Sequence, residues 1–323
     1  MAKHYKTSCS FRTSIGGQAL IEGILMRGPK KQAIVCRTKD GLVEKTEDLR
    51  LLKDRYPILG VPFLRGSVIF IDSMVKGMQA LTYSAGLLPE EEQGEPDKLD
   101  QWIEAHFSEE KAQKLIIGIA VVLGLGLSIG LFVFLPALLV RLMNFRQGFS
   151  LPLINLLEGI LRVAILLGYM ALVSRVKDIK RLFSYHGAEH KTIFCYEHGK
   201  ELTVENVRKE KRFHPRCGTS FLLVVVLVSI LVNLFFNFLF PITNVLARIG
   251  CHILLIPIVV GISYEINRWC GAHDNWLSAI LSAPGKWLQH ITTNEPDDGM
   301  IECAIRAMEL VIPEEKGSDL WGS

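Results

Sequence analysis

Apolar residues in this chain are concentrated in four long runs, and most of the charged residues lie between those runs. The first and third runs contain no charged residue, and about 20 apolar residues suffice for a helix to cross a bilayer. Core helices of a large soluble protein are the alternative interpretation, but such helices are seldom so long and so uniformly apolar. The pattern therefore predicts a mainly α fold, a four-helix integral membrane bundle with spans at Leu115–Val140, Leu153–Val173, Phe221–Phe240 and Ile249–Ile266.

The stretch before the first run has the pattern of a small α+β region. Its segment KQAIVCRTKDGLVEKTEDL, residues 31–49, has two strand-like halves around Asp40-Gly41, and Asp-Gly favours the positive φ of a tight hairpin turn. The preceding GGQALIEGILMRGP, residues 16–29, is predicted to be a strand or an edge segment.

These patterns divide the chain into six consecutive segments. They are an N-terminal cytoplasmic α+β region with a β-hairpin (1–88), an acidic linker and juxtamembrane helix (89–114), two transmembrane helices (115–174), a cytoplasmic loop (175–218), two further transmembrane helices (219–268) and a cytoplasmic C-terminal region (269–323).

The distribution of positive charge predicts the orientation in the membrane. Net charge is only +3, but eleven of the 36 lysines and arginines lie within residues 175–218. Lysine and arginine are enriched in cytoplasmic loops, so this loop and both termini are expected in the cytoplasm of a multi-pass membrane protein. The seven cysteines are scattered, which favours reduced intracellular thiols over a disulfide framework, and no signal peptide is expected.

The cytoplasmic loop contains a candidate metal site. In YHGAEHK, residues 185–191, His186 and His190 are four positions apart and share one face of a helix. Two imidazoles at this spacing can bind Zn²⁺, and Glu189 in the order H-x-x-E-H is positioned to act as the catalytic base. An alternative is that these polar residues form an ion-paired cap where helices leave the bilayer.

Further metal ligands are expected from neighbouring segments. His214 and Cys217 form an H-x-x-C directly before the third run, and Glu265 lies at the cytoplasmic end of the fourth. The predicted topology brings all of these residues to one layer at the cytoplasmic membrane surface. Within the second run, Glu158 and Arg162 are one helical turn apart, and they are predicted to pair inside the membrane, for structure or for function.

Several blocks of the sequence resemble one family. GGQALIEGILMRGP, YHGAEHK, ELTVENVR, HPRCGTSFL, GISYE, PGKWLQHITTNEPDD and IECAI are similar to the signature blocks of the YqhQ-like family. The resemblance implies a polytopic bacterial membrane protein of unknown function, of a kind often labelled as a predicted metal-dependent enzyme. The polar positions of these blocks are, in this chain, Gln18, Glu22, Arg27, His186, Glu189, His190, His214, Cys217 and Glu265.

Two classes of function remain open. One is a zinc-dependent hydrolase of the bacterial cytoplasmic membrane that acts on a lipid, peptide or other small substrate at the inner surface. The other is a non-enzymatic scaffold or assembly factor for other membrane proteins, with a structural histidine layer. A transporter is a third possibility, which the absence of repeats disfavours. The sequence has no phosphate-binding loop and no aromatic-basic surface, so no nucleic-acid partner is expected.

Overall fold

A computed structural model describes residues 11–49, 56–89, 101–103, 106–144, 148–242, 244–315 and 317–321. The chain forms two compact units, of which the first comprises residues 1–87, 170–228 and 257–323, and the second residues 88–169 and 229–256. Most of the predicted acidic linker lies outside the described residues. The six consecutive segments remain a prediction.

The N-terminal part of the first unit is an antiparallel sheet of four strands in the order β1-β2-β3-β4. The strands are Gly16–Leu20, Gly23–Arg27, Lys31–Thr38 and Gly41–Asp48. The predicted hairpin is confirmed: Thr38 pairs with Gly41, whose φ is 122°. The preceding segment forms two strands instead of one, and Glu22 takes the positive φ of their turn, at 49°.

The rest of the described chain is mainly helical. Its helices are α1 (Leu64–Ala85), α2 (Glu109–Ile129), α3 (Leu135–Asn144), α4 (Leu151–Val173), α5 (Lys177–Glu197), α6 (Val204–Arg208), α7 (Gly218–Leu239), α8 (Val245–Leu254), α9 (Ile256–Ala272), α10 (Trp276–Thr292) and α11 (Asp298–Glu309). A π-helical turn, Gly130–Phe134, connects α2 to α3.

The core of the first unit is built around α5. Sheet residues such as Ile24 and Val35 pack with Tyr185 of α5 and Ile301 of α11, and all four side chains are buried. The Cys303 thiol of α11 also donates a hydrogen bond to the Val35 carbonyl at 3.0 Å. The N-terminal sheet and the C-terminal helix therefore enclose the same segment of α5.

Among the residues that the structure describes, three helical stretches are long and apolar enough to cross a membrane: Leu115–Asn144, Pro152–Val173 and Gly218–Leu239. The fourth predicted span is not one straight helix but a pair, Leu246–Leu254 and Ile256–Ala272, bent by 44°. The break falls just before Pro257, which has no N–H to donate and whose ring clashes with the carbonyl four residues earlier. Among the described residues, the predicted four-helix bundle is therefore confirmed only in part, by three candidate spans and one bent pair in the place of the fourth.

The predicted pairing of Glu158 with Arg162 also requires correction. Within the second unit, Glu158 accepts a hydrogen bond from Arg248 at 2.5 Å, and both side chains are buried. Arg162 instead donates to the Phe132 carbonyl at 2.8 Å and to the Ser229 hydroxyl at 3.2 Å. Arg248 lies in α8, the first helix of the bent pair, where it neutralises the buried carboxylate.

Candidate metal centre

The H-x-x-E-H motif lies in the buried middle of α5. His186 and His190 are on one face of this helix, with their ring centroids 4.3 Å apart. Cys217, directly before α7, lies against them: its Sγ is 3.1 Å from His186 Nε2. One donor atom from each of these three residues lies within 4.8 Å of the others, a spacing that a single metal ion can bridge.

Backbone carbonyls determine which nitrogen of each histidine is free to bind a metal. His186 Nδ1 is 2.8 Å from the Thr292 carbonyl, and His190 Nδ1 is 2.5 Å from the Arg212 carbonyl. A carbonyl can only accept, so both Nδ1 atoms carry the proton and donate it. The two Nε2 atoms thereby face other groups: that of His186 is 3.1 Å from Cys217 Sγ, and that of His190 is buried without a hydrogen-bond partner among the described residues. Metal-binding histidines commonly show this arrangement.

The electrostatics of the three residues favour an ionised thiol. Burial disfavours the Cys217 thiolate, but the nearby rings of His186 and His190 outweigh it and lower the pKa of Cys217 well below its usual range. Burial likewise opposes the charge of His186, but the Cys217 thiolate outweighs it and raises the pKa of His186 to about 9. A thiolate is the form of cysteine that binds metals, so the charge required of this ligand is already favoured.

Glu189 lies beside these three residues but is not one of the group. Its Oε1 accepts a hydrogen bond from the Gly17 N–H of β1 at 3.0 Å. Its Oε2 is buried and has no hydrogen-bond partner among the described residues. Burial raises the pKa of Glu189, and the two histidines partly counteract that rise. A buried oxygen without a partner is costly, so an additional ligand or a water molecule at Oε2 is chemically favoured.

The structure does not bring the other two predicted ligands into this group. The His214 ring lies near that of His190, with ring centroids 5.6 Å apart, but its Nε2 faces Glu197 at 3.5 Å. Burial lowers the pKa of His214 to about 4, so its ring is neutral at pH 7. Glu265 is bound through both oxygens by Arg65, at 2.7 and 2.6 Å, and its carboxylate is therefore already neutralised.

The segment after α10 approaches α5 closely, and this approach positions the Thr292 carbonyl that accepts the hydrogen bond of His186. A Cβ at Gly187 would overlap the Asn294 carbonyl, so only glycine permits this approach. It brings the Thr292 carbonyl to His186, and the Asn294 N–H donates to the Phe183 carbonyl at 2.9 Å. Sequence reasoning missed these partners because they are backbone atoms, although the glycine between His186 and Glu189 was a usable signal.

The polar residues of the N-terminal block attach the sheet to the surrounding helices. The Glu22 carboxylate binds Arg181, and it accepts a hydrogen bond from the Tyr185 hydroxyl at 3.1 Å. Arg27 donates to the Ser73 hydroxyl of α1 at 3.1 Å. Gln18 packs against Gly77, where a Cβ would overlap its side chain. These residues hold β1 and Gly17 over Glu189 and do not themselves enter the candidate centre.

Comparisons with known proteins identify the family of this chain. A family model described as "Protein of unknown function (DUF1385)" matches residues 61–314. The "Uncharacterized protein YqhQ" of Bacillus subtilis (strain 168) is 34% identical over 315 residues, which cover 94% of each chain. No solved structure matches. The chain therefore belongs to the DUF1385 family of proteins of unknown function.

Proposed function

We propose that this chain is a membrane protein that binds Zn²⁺ through His186, His190 and Cys217 and uses it to hydrolyse a substrate at the cytoplasmic membrane surface. The observation that carries the proposal is the convergence of two oriented Nε2 atoms on one thiolate, next to a carboxylate oxygen without a partner. Imidazole and thiolate together suit zinc, whereas calcium and magnesium prefer oxygen ligands.

Packing within the first unit supports four membrane crossings. β1 contacts α5 through Gly17 and Glu189, and β3 contacts α11 through Val35 and Cys303, so these elements share one side of the membrane. Among the described residues, two candidate spans separate the sheet from α5, and two crossings would return the chain to that side. One candidate span and the bent pair separate α5 from α11, so the contact of α5 with α11 favours a single crossing by the bent pair. The lysines and arginines of residues 175–218 favour the cytoplasm for this side.

Three protein ligands and a neighbouring carboxylate favour catalysis over a purely structural metal. Structural zinc sites usually have four protein ligands, whereas catalytic sites retain an open position for water. When bound, zinc would lower the pKa of such a water and polarise a substrate carbonyl or phosphoryl oxygen. Glu189 Oε2 would take the proton of the attacking water and later return it to the leaving group. The Gly17 N–H holds Oε1 throughout and fixes the direction of Oε2.

A non-enzymatic scaffold is the second candidate, and burial of the centre favours it. His190 is 1% exposed and Cys217 6% exposed, as expected for a metal that only holds α5 and α7 together. In that case Glu189 would serve as a fourth ligand. The two candidates therefore differ in the role of one residue.

Metal content and product formation separate these candidates. Protein purified in detergent without chelator should contain about one zinc per chain by mass spectrometry of the metal. His190→Ala and Cys217→Ser should lose it, whereas His198→Ala should retain it, because His198 binds Glu210 at the end of α5. Absence of stoichiometric metal in the wild type would contradict the zinc centre and the hydrolase, and would favour a scaffold in which these residues form an ion-paired cap.

The role of Glu189 decides between enzyme and scaffold. Glu189→Gln preserves shape and removes basicity, so it should retain zinc and abolish hydrolysis if Glu189 is the base. Wild type and Glu189→Gln would each be incubated with membrane lipid extracts and with a peptide library, and the products compared by mass spectrometry. Products formed by the wild type alone support the hydrolase. Identical product profiles support the scaffold.

A further inference from the structure

Helix α10 has the inverse of the usual surface pattern. Its buried positions include the polar residues Ser278, Gln289 and Thr292. Most of its exposed positions are apolar: Trp276 is 74% exposed, Ile280 59% and Trp287 54%. A helix on the surface of a soluble protein buries its apolar stripe and exposes its polar face. The outward face of α10 therefore requires a cover other than water.

Hydrogen bonds on the inner face fix this orientation. Gln289 Nε2 donates to the His214 carbonyl at 2.7 Å and to the Ser220 hydroxyl at 2.9 Å, and Gln289 Oε1 accepts from the His214 N–H at 2.7 Å. The Thr292 carbonyl accepts from His186. Rotation of α10 to bury its tryptophans would break all four bonds. The apolar face therefore remains outward as long as the candidate centre is intact.

The position of α10 along a candidate span points to the membrane boundary. Gly285 packs so closely on Ser220 that any Cβ would overlap it, and Ser220 is the third residue of the candidate span Gly218–Leu239. Helix α10 also begins only four residues after α9 ends at Ala272, the last residue of the bent pair. It therefore lies at the level where a candidate span begins.

A second helix shows the same pattern at the same level. Helix α1 buries Gly66, Gly77, Ala80 and Ser84 and exposes Ile71, Met74 and Val75. Its Phe70 contacts Phe221, in the first turn of the same candidate span, with ring centroids 5.7 Å apart. Two helices with outward apolar faces thus lie beside the start of α7.

We propose that α10 is an in-plane interfacial helix whose Trp276, Ile280 and Trp287 face is embedded in the lipid of the bilayer that the spans cross. Its 17 residues include Lys286, Gln289 and His290, which suits a helix lying along the interface better than one crossing the hydrocarbon. Tryptophan is enriched at this depth because its ring is apolar and its N–H is polar. One face of α10 thus contacts lipid while the other orients His186.

Tryptophan quenching tests the lipid contact in the full-length protein. The chain is reconstituted in nanodiscs of phosphatidylcholine, either unlabelled or brominated at positions 6 and 7 of one acyl chain, and emission is compared. The brominated lipid should quench wild type strongly. Trp276→Phe and Trp287→Phe should each reduce the quenchable emission. Trp321→Phe is the matched control, because Trp321 packs against Arg216 and should contribute little to lipid quenching.

The inference rests on the membrane part of the proposed function but can fail separately from it. The chain could insert into nanodiscs while aqueous iodide quenches Trp276 and Trp287 and brominated lipid does not. That result would leave the membrane spans supported and would refute the interfacial helix. A photo-crosslinking residue, benzoylphenylalanine at position 280, provides a second measurement in cells. Lipid adducts support the proposal, whereas protein adducts alone overturn it in favour of a docked protein.

Discussion

Replacing Gly17 by alanine should disturb the candidate centre without removing any ligand. A Cβ at this position would lie 2.6 Å from the Leu25 carbonyl oxygen and 3.0 Å from Glu189 Cδ. Because the carbonyl belongs to the paired strand β2, it cannot rotate away as a flexible side chain would. Strand β1 must therefore shift, and the Gly17 N–H moves away from Glu189 Oε1.

The expected loss of stability follows from these two effects. Overpacking a tight site costs about 1–3 kcal/mol, and loss of one hydrogen bond costs about 1 kcal/mol more. In a chain of this length, the unfolding temperature falls by roughly 2 °C per kcal/mol. Gly17→Ala should therefore unfold roughly 4–8 °C below the wild type, as followed by circular dichroism in detergent.

Gly16→Ala provides the matched control. It lies in the same strand, but a Cβ there would have no heavy atom within 4 Å, so its unfolding temperature should equal that of the wild type. Gly17→Ala should also bind zinc more weakly than Gly16→Ala, because residues that support metal sites typically contribute 10–100-fold in affinity. Equal unfolding temperatures for the two variants would refute the close approach of β1 to Glu189.

Three further outcomes are expected. Reporter fusions after Lys177 and at the C-terminus should report the cytoplasm, and a fusion after Gly148 should report the outside. An outside signal after Lys177 would contradict the predicted orientation. Glu158→Gln or Arg248→Gln alone should destabilise the protein by about 3–5 kcal/mol, because each leaves a buried charge unpaired. The double variant should lose less stability than either single variant. A double variant as unstable as the worse single variant would show that the pair is not coupled. Burial opposes ionisation of Glu197, but its histidine and arginine neighbours outweigh burial and lower its pKa below 4.5. Its contribution to stability is therefore complete above pH 4.5 and is lost as pH falls through the lower, folded pKa. The unfolding temperature of Glu197→Gln should accordingly depend less on acid pH than that of the wild type, and an identical dependence would contradict this.

The sheet shows where local sequence signals suffice and where they do not. Asp40-Gly41 predicted the turn between β3 and β4, because glycine readily adopts the required positive φ. The turn between β1 and β2 has no such signal, since Glu22 takes the positive φ itself and is held by Arg181 and Tyr185 from α5. Tertiary contacts stabilise that turn, so its local sequence did not predict it.

The candidate site was predictable as far as short spacings determine geometry. The i, i+4 spacing of His186 and His190 placed both on one helical face. The H-x-x-C motif predicted both His214 and Cys217, but only Cys217 joins the group, because His214 Nε2 faces Glu197. Membrane topology predicts the depth of a residue but not its position within the membrane plane. Glu265 was therefore expected in the group, whereas it pairs with Arg65 in the structure.

The orienting partners of the two histidines were not predictable from residue types. They are the carbonyls of Thr292 and Arg212, and every residue has a carbonyl. Likewise, enclosure of α5 by the N-terminal sheet and the C-terminal α11 depends on contacts between distant parts of the chain. The order of elements along the chain contains no local signal for such packing.

X-ray absorption at the zinc edge tests the central claim most directly. The His186, His190 and Cys217 centre predicts one sulfur scatterer at about 2.3 Å and two imidazole nitrogens at about 2.0–2.1 Å, with any remaining ligand an oxygen. Any residual zinc that Cys217→Ser still binds should lack the sulfur shell, and His198→Ala should leave the spectrum unchanged. A wild-type spectrum without a sulfur shell, or with oxygen scatterers alone, would contradict the assignment of these three residues as the metal ligands.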